Sequence, residues 1–466
     1  MNEEALTDAI DYIKSWLKFR YEREEVPGYV VAIAYEGKLL MNAAYGYADL
    51  EKKIILTPQH IFRVASHSKT FTATAIMQLQ EKGKLRIDDY VIDYVPWLVQ
   101  HKDERWKNVT IRQLMSHGAG VIRDGLDAEY WQAERPFPSF PELKRGILEA
   151  DLVYENNTKL KYSNYGYALL GLIIESVTDK KYEEYVTENI IQKIKLEKTG
   201  PEYTQAIDDK IAVGYSRRDL NKTRLPINQT SANALAPATG FYSTAEDICN
   251  YFTAHFVGSN MLLSDESKKE MQKVQWHAVT PHQSNQMDYG LGLEIEYLNN
   301  RTTFGHSGGF PGHITKSIAD PKDKLVVSVM TNCLNGPAIT ICKSIYSIID
   351  YFQNNSLPTK TKSKFDNLQG RYMNLWSITD IVVTGEKIVS TYSDTWYPLY
   401  EPEELEYMSN NTFKVSRTGS FESADELVYF NIENDKVVSV NYAGAKMWPQ
   451  DVWNKMLQRK KTIKVE

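Results

Sequence analysis

The sequence predicts an α/β protein of the α+β kind. One antiparallel sheet is flanked by helices and joined to a helical lobe, and a small all-β barrel or sandwich follows. Two observations lead there. Strand-like runs stand at both ends of residues 1–352 and enclose a helix-rich middle, which is most economically one antiparallel sheet with a lobe inserted. Beyond the polar linker 353–364 (QNNSLPTKTKSK), the pattern changes to short alternating strands separated by turn residues over 365–466.

Residues 3–20 carry apolar side chains at helical spacing. Tyr29–Tyr35 and Lys38–Tyr47 are β-rich runs joined by Glu36-Gly37, a hairpin. Phe71, Ala75 and Leu79 recur at helical spacing behind Ser66, and Gly83 supplies a stop. Helical periodicity and turns continue to about residue 280. Strand patterns return at Tyr289–Tyr297, Thr302–Phe304, Ile314–Asp320 and Leu325–Thr331, and Pro337–Phe352 closes the region as a helix. The second part offers strands at Gly370–Leu375, Ile381–Thr391, Thr412–Arg417, Glu426–Ile432 and Lys436–Tyr442.

Composition narrows the function. A hydrophobic fraction of 42% and a charged fraction of 24% are those of an ordinary globular chain. The net charge of −6, with no basic stripe, excludes the usual nucleic-acid binders. The start, Met-Asn-Glu-Glu-Ala-Leu-Thr-Asp, lacks the basic and apolar regions of a secretory signal. No apolar run is long enough to span a bilayer, and Glu175 interrupts the strongest, Tyr167–Val177. Cys249, Cys333 and Cys342 suit neither a disulfide framework nor a zinc site, so free thiols, no metal, no cofactor and a cytoplasmic location are expected.

The chemistry centres on Ser66 and Lys69. Residues three apart on a helix share a face, so a lysine held away from water can assist a serine that needs a base. Spacing alone is weak evidence, since Ser15 and Lys18 repeat it on an ordinary helix. Further on, Tyr162-Ser163-Asn164 precedes a strongly apolar helix; Tyr162 can relay a proton and Asn164 can bond an amide, or cap that helix. Tyr-x-Asn recurs at Tyr154, Tyr297, Tyr372 and Tyr429, so this motif too is weak by itself. Gly305-His306-Ser307-Gly308-Gly309 lets backbone approach a ligand and offers His306 to a carboxylate or carbonyl; the bland alternative is a glycine-rich turn. Ser243 or Thr244 reads as a helix cap.

In this order and spacing the segments resemble the serine β-lactamase and penicillin-binding protein superfamily, in its CubicO-type branch of class C β-lactamases, D-aminopeptidases, carboxypeptidases and esterases. Gly83–Asp89 and Val109–Gly120 support the likeness, which runs from about residue 25 to 352. The resemblance implies that Ser66 is acylated, that Lys69 and Tyr162 move its proton, and that Asn164, His306, Ser307 and Gly308 bind substrate. It implies an oxyanion hole from the backbone N–H groups of Ser66 and Gly309. His306 stands where typical relatives carry the lysine of Lys-Thr-Gly, so weak or no β-lactamase activity is expected, with small peptides, amides or esters as substrates. The tail is similar to the lipocalin-like domains of some relatives, in which it shapes the site or supports homo-oligomers.

Two rival readings remain. Gly305–Gly309 also matches the nucleophile elbow of α/β-hydrolases with Ser307 as nucleophile, although that elbow needs a helix after it. A non-catalytic protein of the same fold that binds peptides or β-lactams would carry the same residues.

Overall fold

The computed structural model of the chain describes residues 1–278, 287–355, 363–385, 387–419 and 423–459. Contacts divide it into Val26–Cys342 and a second unit made of Met1–Glu25 with Lys343–Glu466. Among the described residues no helix is long and apolar enough to cross a membrane.

The larger unit is built on nine antiparallel strands: β1 Gly28–Tyr35, β2 Lys38–Asp49, β3 Ile54–Ile55, β4 Trp276–Ala278, β5 Met287–Tyr289, β6 Glu294–Leu298, β7 Arg301–Phe310, β8 His313–Asp320 and β9 Leu325–Thr331. Their order across the sheet is β3-β2-β1-β9-β8-β7-β6-β5-β4. The two ends of the unit therefore meet inside the sheet, where Val31 opposes Val329 and Ile33 opposes Val327. β9 is buried along its whole length and β1 along all but its last residue, as their near-continuous apolar sequences require. The helix Ala245–Thr253 packs on both, and Thr244 caps it by accepting from the Asp247 N–H.

Two strand predictions need revision. Tyr289–Tyr297 is two strands, because the chain turns between them at Gly292 (φ +75°) and the Gly290 N–H bonds the Leu293 carbonyl. The short run Thr302–Phe304 belongs to the ten-residue β7, which carries straight through the glycines that read as a turn. The cause lies at Gly308, where a Cβ would come 2.2 Å from the Val64 carbonyl oxygen. Glycine there marks close backbone approach rather than chain reversal.

The helical lobe holds α1 Ser68–Glu81 and α2 Asn164–Thr178. Phe71 of α1 stacks on Phe241 and on Tyr251, at 4.3 Å and 3.8 Å between ring centroids, and this aromatic layer anchors the start of α1.

The second unit is a closed eight-stranded barrel: β10 Gly370–Met373, β11 Ile378–Thr384, β12 Lys387–Tyr392, β13 Glu403–Ser409, β14 Thr412–Arg417, β15 Leu427–Glu433, β16 Lys436–Tyr442 and β17 Ala445–Pro449. Pairing of Met373 with Trp448 closes it. The predicted strand Ile381–Thr391 is the hairpin of β11 and β12, in which Thr384 faces Lys387. Phe413, Phe430 and Tyr372 lie in its core. The amino-terminal helix Glu3–Arg23 belongs to this contact unit: Tyr12 donates to Asp380 (3.1 Å), which also takes Arg371 at 2.8 and 2.9 Å, and Arg371 lies over the Phe19 ring. The linker expected at 353–364 overlaps the helix Ala338–Asn355, and residues 356–362 lie outside the described residues.

Candidate active site

Ser66 lies not in the α-helix itself but in a single 3-10 turn, Ala65–His67, that leads into α1. The turn is held on every side. Val64 N–H bonds the Phe241 carbonyl, the Ser68 hydroxyl donates to the Ala65 carbonyl at 2.5 Å, and the Phe241 N–H donates to that hydroxyl. Ala65 adopts φ +48°, a left-handed conformation that costs a β-carbon-bearing residue energy and persists only where neighbours enforce it.

Lys69 is completely buried one turn on. Its Nζ lies 3.1 Å from Ser66 Oγ, 2.7 Å from Asn164 Oδ1 and 2.9 Å from the Ala238 carbonyl oxygen. Burial pushes its pKa well below the ordinary lysine value; Asp124 and Glu294 oppose that shift and Arg123 adds to it. A neutral amine has two N–H groups and one lone pair. The two carbonyl-type acceptors can take the N–H groups, which leaves the lone pair toward the Ser66 hydroxyl.

Tyr162 is hydrogen-bonded to the Ser66 side chain, and its ring lies 4.7 Å from Lys69 Nζ. Burial raises its pKa, so the phenol is protonated near neutrality. The His117 ring packs against it, tilted by 38°, with the ring centroids 4.2 Å apart. His117 Nδ1 accepts the Ser163 N–H, which fixes the proton of the neutral ring on Nε2. Ser163, not Asn164, caps α2 by accepting the Gly166 N–H. Asn164 is thereby the first helical residue, and its side chain spans Lys69 and Asp124: Oδ1 accepts from the lysine and Nδ2 donates to Asp124 Oδ1 at 2.6 Å. One amide N–H remains for a ligand.

The β7 residues are divided by the strand's alternation. His306 is buried; its Nδ1 bonds the Ser307 carbonyl (2.6 Å) and its Nε2 meets the Tyr289 hydroxyl (3.1 Å). Burial lowers its pKa to about 4, so the ring is neutral at pH 7 and both nitrogens are engaged. Ser307 donates to Glu294 Oε1 at 2.5 Å, the same oxygen that lies 3.5 Å from His306 Nδ1. Glu294 also pairs with the buried Lys316 at 2.7 Å, and Lys316 in turn pairs with Glu296. Gly308 sits against Val64 beside the serine turn, and Gly309 is exposed on the same strand. After Phe310 the chain turns straight into β8 with no helix, so Ser307 does not lie on a nucleophile elbow. His313 is committed to backbone, with Nδ1 on Arg63 N–H and Nε2 on the Ala212 carbonyl.

Sequence reasoning missed Asp124, Tyr289, Glu294 and Lys316. Asp124 sits in a polar loop with no recognisable spacing, and the other three read as ordinary strand residues. Among the described residues no group of His, Cys, Asp or Glu is placed to hold a metal ion.

A serine turn packed on β7 of an antiparallel sheet, with a buried lysine one helical turn on and a tyrosine from the lobe, is an arrangement of the β-lactamase-like class of fold. The chain belongs to the Beta-lactamase family, whose profile matches residues 13–340. It is 23% identical over 381 residues to Protein flp of Staphylococcus aureus strain MW2, covering 81% of this chain and 72% of that one. Against a Staphylococcus aureus teichoic acid D-alanine hydrolase the identity is 26% over 345 residues, covering 71% of this chain and 76% of the relative. The octameric penicillin-binding protein homologue from Pyrococcus abyssi superposes with a TM-score of 0.65 at 22% identity, covering 94% of this chain and 99% of that one.

Proposed function

We propose that this protein is a serine hydrolase that acts through an acyl-enzyme on small amides or esters carrying an ammonium group near the scissile carbonyl, as a D-aminoacyl ester does. The observation that carries the reading is Lys69 Nζ, buried, within 3.1 Å of Ser66 Oγ and otherwise surrounded by acceptors. Ser66 Oγ attacks the carbonyl carbon while its proton passes to neutral Lys69. Tyr162 protonates the departing amine or alcohol and regains a proton from Lys69 through the hydrogen-bonded chain. Water then adds to the acyl carbon, its proton enters the same chain, and Ser66 leaves with its hydroxyl restored. Backbone N–H groups of Ser66 and Gly309 stabilise the oxyanion in this reading.

Charge supports the substrate class. The position that holds a cation in carboxylate-reading relatives carries a neutral, fully bonded His306, and the neighbouring Ser307 hydroxyl is tied to a carboxylate. Asp124 and Glu294, the latter paired with Lys316, both act on Lys69 and Tyr162, against the single opposing charge of Arg123. An ammonium is favoured there and a carboxylate-bearing β-lactam is not. The Staphylococcus relative named for D-alanine hydrolysis is consistent with this, and the octameric Pyrococcus homologue with self-assembly. The test compares kcat/KM for a D-alanyl aryl ester with that for its N-acetyl derivative. The wild type should prefer the free amine by about tenfold or more, and Glu294→Gln should erase most of that preference. Equal rates for the two esters in the wild type would remove the ammonium from the reading, and no Ser66-dependent turnover of either would remove the hydrolase.

A further inference from the structure

The barrel has a cavity of about 380 Å³ whose lining has an unusual charge inventory. Glu401 and Glu403 line it, and no lysine, arginine or histidine does. Glu403 is buried, at 9% exposure. Its Oε1 accepts from the Thr418 hydroxyl (2.5 Å) and from Ser423, and its Oε2 from Tyr442; the Ser390 hydroxyl lies 3.3 Å from Oε2 but 2.5 Å from the Tyr442 oxygen, to which its single proton goes. Among the described residues no cation pairs with this carboxylate. Burial and the nearby Glu403 charge keep the Tyr442 phenol protonated, so it can serve as a donor.

Three hydroxyl donors take most of the lone-pair sites a carboxylate offers. They satisfy most of its hydrogen bonding but leave its charge uncompensated in a partly desolvated place, where an unpaired charge is costly. Around it the lining is aromatic. Tyr392, Trp396, Tyr397, Tyr400 and Tyr442 all contribute, although one face of Trp396 already lies under the Arg20 guanidinium at 3.9 Å. Tyr400 at 71% exposure and Tyr392 at 53% are large apolar rings left facing solvent. Aromatic faces attract cations.

We infer that the barrel cavity is a binding site for a small organic ammonium compound, held by the Glu403 charge and by the tyrosine and tryptophan rings. Because most of the hydrogen-bond capacity of Glu403 is taken up, the site rewards charge and apolar bulk more than N–H donors. An alkylated ammonium therefore fits better than a primary amine. This inference is independent of the Ser66 chemistry, since every residue it uses belongs to the barrel unit.

The test is ligand-observed NMR titration of the full chain with choline and with 3,3-dimethylbutan-1-ol, in which a tert-butyl group replaces the trimethylammonium. Choline should bind about tenfold tighter than the neutral alcohol. Glu403→Gln, which keeps an acceptor for the hydroxyls, should abolish the difference and leave Ser66-dependent ester hydrolysis unchanged. Tyr400→Ala, at an exposed ring, should weaken choline about threefold or more without affecting folding, and it decides the matter if Glu403→Gln proves unstable. Equal binding of the two probes, no binding of either at millimolar concentration, or choline binding untouched by both substitutions would overturn the inference.

Discussion

Burial of a single amine decides the chemistry at residue scale. Lys69 is fully enclosed and its pKa falls, yet Asp124, reached through Asn164, holds part of that fall back. Asp124→Asn retains an oxygen for the Asn164 amide and removes the charge. With that charge gone the Lys69 pKa drops further, so the neutral amine is available at lower pH. The acidic limb of the pH profile of kcat/KM should therefore move to lower pH in Asp124→Asn, without a comparable loss at the plateau. An unmoved limb, or one moved upward, would mean that Lys69 deprotonation does not set it. As candidates, Ser66, Lys69 and Tyr162 are legible in the sequence because serine and lysine are local to one turn and Tyr162 introduces an apolar helix. Asp124 and Glu294 are not, because what makes them matter is a partner brought close by the tertiary fold: Asn164 is 40 residues from Asp124, and Lys316 is 22 from Glu294.

At the scale of elements, the site depends on β7 running hard against the serine turn. The glycines of Gly305–Gly309 read as a possible reversal because glycine is common in turns, and only the neighbouring backbone of Val64 reveals that they permit close approach instead. Adding a methyl group at Gly308 would place it 2.2 Å from the Val64 oxygen and 2.5 Å from Thr315 Oγ1. Gly308→Ala should lower stability by about 1–3 kcal/mol and, by pushing β7 from the turn, reduce acylation more than it reduces folding. Chemical denaturation and acylation rates measured on the same variant check this; wild-type values for both would show that the approach is not required. The barrel strands illustrate the same limit. Ile381–Thr391 reads as one strand, since few breakers interrupt it, while Glu403–Ser409 and Ala445–Pro449 alternate too weakly to stand out.

Across the whole molecule, several histidines are buried without charge. His67 and His313 have pKa values lowered to about 3, and His306 and His255 to about 4, in each case mainly by burial. In the unfolded chain these rings titrate near the ordinary 6.5. Above that value both states are neutral and the histidines do not affect stability. As pH falls below it the unfolded chain gains protons that the native state refuses, so stability declines until the native values are reached. The unfolding temperature of the Val26–Cys342 unit should therefore fall clearly between about pH 7 and pH 5; a flat profile would contradict neutral burial of these rings. Strands at both ends of the first part and an all-β second part were legible in the sequence, because hydrophobic periodicity reports the elements. Closure of the barrel was not, since it rests on the pairing of Met373 with Trp448, far apart in the chain. In the proposed mechanism one serine in the molecule, Ser66, is activated for acyl transfer. Intact-protein mass spectrometry after brief incubation with a fluorophosphonate, followed by peptide mapping, tests it most directly. One adduct per chain on Ser66, absent from Ser66→Ala and greatly slowed in Lys69→Ala, is the expected result; no adduct, or one carried by Ser307, would contradict it.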